Sequence, residues 1–132
     1  MATKHLFLSD LHFSFKLWAN EVAFFNQEIA LFESYLAEIA KRWTDHEVLA
    51  ELEHFQNQFI IQKEHAEQLA HDISAFQHNM SVFVKDNESV IEHKYFDSKA
   101  NETSKVAERV ETYKSIYAVL KKEFRIFLSK YT

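Results

Sequence analysis

A chain of 132 residues with 47% hydrophobic and 27% charged residues has the balance of one globular domain, with a single domain over 1–132 as the expectation. The sequence has no cysteine, which excludes disulfides, thiolate metal sites and cysteine nucleophiles, and no glycine, which excludes the phosphate-cradling loops of P-loop and dinucleotide folds. It also has no proline, so the residues that sheets and tight loops draw on are missing and an all-α chain with few connections is expected.

The amino terminus carries only a short apolar patch, Leu6 to Leu8, too brief for a secretory signal, and a cytoplasmic location is the expectation. Ser9 can cap a first helix, with Leu8 and Phe13 placed as a hydrophobic staple. From there Leu11, Phe15, Trp18, Val22, Phe25, Ile29, Phe32, Leu36 and Ile39 recur at alternating steps of four and three, a sustained heptad pattern over about 9–43. Thr44-Asp45-His46-Glu47 reads as a capping box. The break from Trp43 to Asp45 leaves room only for a tight reversal.

The second segment, about 45–86, repeats the spacing with Val48, Leu52, Phe55, Phe59, Gln62, Ala66, Leu69, Ile73, Phe76, Met80 and Phe83. Gln62 interrupts its polarity, and a hydrogen bond from Gln62 to Tyr113 or Tyr117 is expected to fix the register of the core. Residues 87–97 read as a partly ordered loop whose Val90, Ile91, Tyr95 and Phe96 plug the end of the fold, with Asp97 as the cap of a third helix over 97–131. That helix carries Thr103, Val106, Val110, Tyr113, Tyr117, Leu120, Phe124, Phe127 and Tyr131 on its seam. Each helix would be on the order of 50 to 60 Å long. A mean apolar spacing of 3.5 residues predicts three long antiparallel helices in an up-down-up, left-handed coiled-coil-like bundle.

The apolar stripes are wider than a strict seam. A three-helix bundle accounts for most of that width, because each helix faces two others, but Phe24 with Leu31 and Ile60 with Ile116 are candidates for an exposed strip that a second copy or another protein covers. From Met1 to His93 there are six basic against fifteen acidic residues, and from Lys105 to Thr132 seven against three. This asymmetry reads as a basic helix packed between acidic ones. With a net charge of −5, nucleic-acid binding is not expected, nor is a membrane span.

Eight histidines raise the question of metal. Di-iron bundles need Glu-x-x-His on two helices, and this chain offers one, Glu51 to His54, with Glu47 a turn earlier. Glu51, His54 and His65 form the alternative reading as a carboxylate and histidine metal-binding bundle. His65 and Asp72 flank the second seam and are expected to face Glu21 or Glu28, with His65 bonded to a carboxylate rather than ligating. No serine, histidine and acid converge on a loop scaffold, so no enzyme, no catalytic residue and no cofactor is expected. The leading expectation is a helical interaction or assembly module, an adaptor or homo-oligomeric bundle.

Overall fold

The computed structural model describes residues 2–86 and 91–131, with the surroundings of side chains described for 10–82 and 102–131. Three helices, α1 (Ala2–Arg42), α2 (His46–Asp86) and α3 (Ile91–Tyr131), make up the fold, and no strand is present among the described residues. Each has 41 residues and is therefore about 60 Å long. None of them is long and apolar enough to cross a membrane among the described residues.

Helix boundaries differ from expectation at three places, each for a local reason. α1 begins at Ala2, so Ser9 lies inside a helix rather than capping one. Nothing from Ala2 to Ser9 breaks a helix, and without a breaker the backbone continues past a possible cap. α3 begins at Ile91, so 91–97 is helical and Asp97 is interior, while the expected plugging by Val90, Ile91, Tyr95 and Phe96 lies outside the described side chains. The stretch lacks heptad periodicity, but its residues tolerate helix, and tolerance is enough where a long helix already extends from the core.

At the first corner the cap is Asp45, not Thr44. Its Oδ1 accepts from the backbone N–H of Glu47 at 2.9 Å and of Val48 at 3.3 Å, satisfying two of the donors that a helix start exposes. α1 ends on Lys41 and Arg42, cations placed at the negative end of the helix dipole. No described residue has positive φ, so Trp43-Thr44-Asp45 reverses the chain without a left-handed residue. The Trp43 indole meets the Tyr131 ring edge-on with centroids 5.3 Å apart, pinning the corner to the end of α3.

The seam residues are the core. In α1 all are buried except Trp18 and Phe25, in α2 all described ones except Phe76, and in α3 all between Val106 and Phe127. Phe15 meets Phe76 at 5.3 Å and Phe32 meets Phe59 at 5.6 Å, joining α1 to α2. Phe124 brings α3 into the same cluster, 5.0 Å from Phe32 and 4.9 Å from Phe59. The tilted and edge-on ring pairs are the arrangements that the aromatic quadrupole favours.

Candidate functional site

Midway along the molecule the aromatic core gives way to polar side chains. Tyr113 and Tyr117, one turn apart on α3, stack with centroids 6.1 Å apart and planes 8° from parallel, and Phe25 of α1 lies against both. The pairs Phe59 with Phe124 and Asp72 with Arg109 fix the level of α2 against α3, and between them the small Ala66 comes level with the two tyrosines, leaving room for their rings.

The Tyr117 hydroxyl donates to Glu28 Oε1 of α1 at 2.6 Å, and Lys121 Nζ donates to Glu28 Oε2 at 3.0 Å. One carboxylate thus satisfies a buried phenol and a half-buried ammonium together. A second ion pair of the same kind, Lys114 to Glu21 at 2.9 Å, lies one heptad earlier and raises the lysine pKa through that hydrogen bond. Gln62 is buried at 3% exposure, but the expected bond to a tyrosine is not formed: Tyr117 is bonded to Glu28, and Gln62 Oε1 and the Tyr113 hydroxyl are buried without a hydrogen-bond partner, as is Asn26 Oδ1.

Burial, and then the acceptor Glu28, hold the Tyr117 pKa far above the ordinary phenol value, and burial pushes Tyr113 from 10.0 up to about 12. Both native phenols therefore keep their protons longer than the unfolded chain does. The contribution of Tyr113 to stability is complete below pH 10.0, is eroded as the unfolded phenol ionises, and is lost by about pH 12, where the native one ionises too. Urea unfolding followed across that window should show stability falling with pH, with a shallower fall in Tyr113→Phe; parallel slopes would remove the effect.

Beside this layer, between α2 and α3, lies an open crevice of about 570 Å³. Gln62, Leu69, Tyr113 and Ile116 line it, and His65, Lys105, Glu108 and Arg109 stand around it. Arg109 is held there by Asp72 at 2.8 Å, so Asp72 faces α3 and not the α1 carboxylates Glu21 and Glu28, which are taken by Lys114 and Lys121.

The residues of the metal reading are not brought together. Glu51, His54 and His65 are all exposed, and no group of three or more His, Asp or Glu side chains is placed to hold an ion among the described residues. The residues of the apolar strip are exposed as well, Phe24 at 55%, Leu31 at 49%, Ile60 at 48% and Ile116 at 48%. They come from three helices. Phe24 and Leu31 share one edge of α1, one heptad apart, whereas Ile60 lies on α2 and Ile116 lines the α2–α3 crevice.

Protein-family models, curated proteins and solved structures were all compared with the chain, and none matches. The polar layer holds protons in place: a phenol whose pKa is raised is a weak acid, and the carboxylate it donates to is also engaged by an ammonium. The outer edge of α1 has more order than its two strip residues suggest. Phe13, Leu17, Asn20, Phe24, Gln27, Leu31 and Ser34 are all exposed and follow one another at alternating steps of four and three. This second heptad row was legible in the sequence, but only once the first row had been assigned to the core.

Proposed function

We propose that the protein is a helical assembly module that pairs with a second copy of itself along the outer edge of α1. Its own helices run up-down-up in the left-handed manner of coiled coils. The α1–α2 pairs 15 with 76 and 32 with 59 descend along one helix as they rise along the other, and the α1–α3 pairs 21 with 114 and 28 with 121 rise together, which supports that order.

The observation that carries the assembly reading is the outer row itself: Leu17, Phe24 and Leu31 stand half-exposed at 46%, 55% and 49%, separated by exposed Asn20, Gln27 and Ser34. In a parallel, in-register pair each layer meets its own kind, apolar on apolar and amide on amide, as a polar layer that selects register does. An antiparallel pair would set amides against leucines.

Sedimentation equilibrium from micromolar to millimolar concentration should show a monomer–dimer equilibrium that Phe24→Glu weakens at least about tenfold, since a carboxylate then has to be desolvated in a central layer. Ile60→Glu should leave it unchanged. Orientation has a direct readout, because the natural chain has no cysteine: Asn20→Cys should oxidise to a disulfide-linked dimer only if the two α1 helices are parallel and in register. A wild-type chain that stays monomeric throughout, or a Phe24→Glu chain that associates as tightly, would end the proposal.

A further inference from the structure

We propose that the outer face of α3, toward its carboxyl end, docks an acidic amphipathic helix of another protein. Seven cations lie between Lys105 and Thr132. Three of them are paired to the neighbouring helices, Arg109 to Asp72, Lys114 to Glu21 and Lys121 to Glu28, and Lys105 stands at the α2–α3 crevice. Lys122, Arg125 and Lys130 are exposed, and no carboxylate pairs with them among the described residues. A basic helix packed between acidic ones accounts for the paired cations and not for these three.

The same face carries apolar side chains. Val119 and Ile126, 59% and 52% exposed, stand one heptad apart with Lys122 between them. An open hollow of about 730 Å³ is lined by Ala118, Lys122, Arg125 and Ile126. Leu128, about one turn past Arg125, lines a second hollow of about 330 Å³ with Tyr35 and Arg42 of α1, and Arg42 is a further cation without a paired carboxylate among the described residues. From Ala118 to Ser129 the face runs for about 16 Å, the length of three turns of a docked helix. Glu123, the one acid between Ser115 and Thr132, lies one heptad past Ile116 and therefore on the α2 side, away from this face.

Apolar side chains ringed by unpaired cations fit a helix of the opposite pattern. Its apolar stripe would cover Val119 and Ile126, and carboxylates on its flanks would reach Lys122, Arg125 and Lys130. A nucleic acid would leave both apolar side chains uncovered, and the net charge of −5 repels it. An anionic membrane lying along α3 would meet Glu108 and Glu111, two heptads before Lys122 and Arg125 on the same side of the helix. The face is not the outer edge of α1, so docking here and self-association stand or fall separately.

The probe is a fluorescein-labelled peptide of three Leu-Glu-Glu-Leu-Leu-Glu-Glu repeats, titrated into the full chain and followed by fluorescence polarisation, with the methyl NMR shifts of Val119 and Ile126 to locate it. We expect saturable binding that weakens as salt is raised, and that falls at least about tenfold both in Lys122→Glu with Arg125→Glu and in Ile126→Glu. These positions are exposed, so the fold is kept, which the circular dichroism of each variant checks. Phe24→Glu, which opposes pairing along α1, should leave peptide binding unchanged. The inference is overturned if the peptide does not bind, if a peptide with lysine for every glutamate binds as tightly, or if Phe24→Glu abolishes binding and the α3 variants do not. Co-sedimentation of the chain with phosphatidylserine vesicles, in the absence of peptide binding, would overturn it in favour of a membrane.

Discussion

Phe124→Ala should lower the unfolding free energy by about 3–5 kcal/mol, the largest effect expected of any single truncation in this chain. Phe124 has no exposed surface and holds α3 to both other helices, with ring centroids 5.0 Å from Phe32, 5.4 Å from Phe55, 4.9 Å from Phe59 and 6.2 Å from Phe127. Removing the ring deletes buried apolar area and leaves a cavity at the meeting point of three rods, where long helices spanning the whole molecule cannot collapse inward locally without shifting along their length. The ring pairs lost with it are part of that figure. Against a total stability typically of about 5–15 kcal/mol, such a loss brings the fold near its limit. Phe13→Ala, at a position 64% exposed, should change stability by no more than about 0.5 kcal/mol in the same urea titration. A Phe124→Ala cost below about 1 kcal/mol would mean that the aromatic cluster is not what joins the helices.

Glu28→Ala should cost about 2–3 kcal/mol, more than an ordinary surface carboxylate is worth, because it strands two groups at once. The Tyr117 hydroxyl, in a residue 2% exposed, would lose its acceptor inside the core, and Lys121, about one-third exposed, would lose its counter-charge. The lysine share is small, since that ammonium reaches water. The phenol share is large, and a double-mutant cycle separates it. Tyr117→Phe alone removes the donor with the acceptor still satisfied by Lys121 and should cost about 1 kcal/mol; in that background Glu28→Ala should cost markedly less than in the wild type. Additive costs would show that the 2.6 Å hydrogen bond carries no coupling energy.

The core was legible because heptad spacing is a property of one helix at a time: Leu11, Phe15, Phe59, Val110 and Phe124 are buried where the steps of four and three place them. Helix ends were less so. Ser9 and Asp97 are residue types that favour caps, yet each sits inside a helix, since a cap preference of about 1 kcal/mol does not stop a chain with no breaker on either side. At the corner, the choice of Asp45 over Thr44 turned on which side chain reached two backbone donors, a matter of one residue in chain direction. The polar layer was half legible. Gln62, Tyr113 and Tyr117 were identifiable as polar atoms on a buried seam, but which of them would pair depends on the stagger between helices, and no spacing within a helix encodes stagger. Glu28 was therefore missed as the acceptor for Tyr117, and the crevice, which exists only between α2 and α3, had no signature in either helix alone.

The corner that turns without a left-handed residue has a kinetic counterpart. A chain with no proline has no X–Pro bond to isomerise, so the step that delays many small proteins by tens of seconds has no place here. Most of the backbone hydrogen bonds close within a single helix, and the corner itself closes on residues four apart, Trp43 N–H to Ile39 and Leu49 N–H to Asp45. Helices of this kind begin forming in under a microsecond, and the search left to the chain is the docking of three rods joined by short connections. Time to the native state is then set by how quickly α3 finds the stagger that brings Tyr117 to Glu28 and Phe124 to Phe59 together.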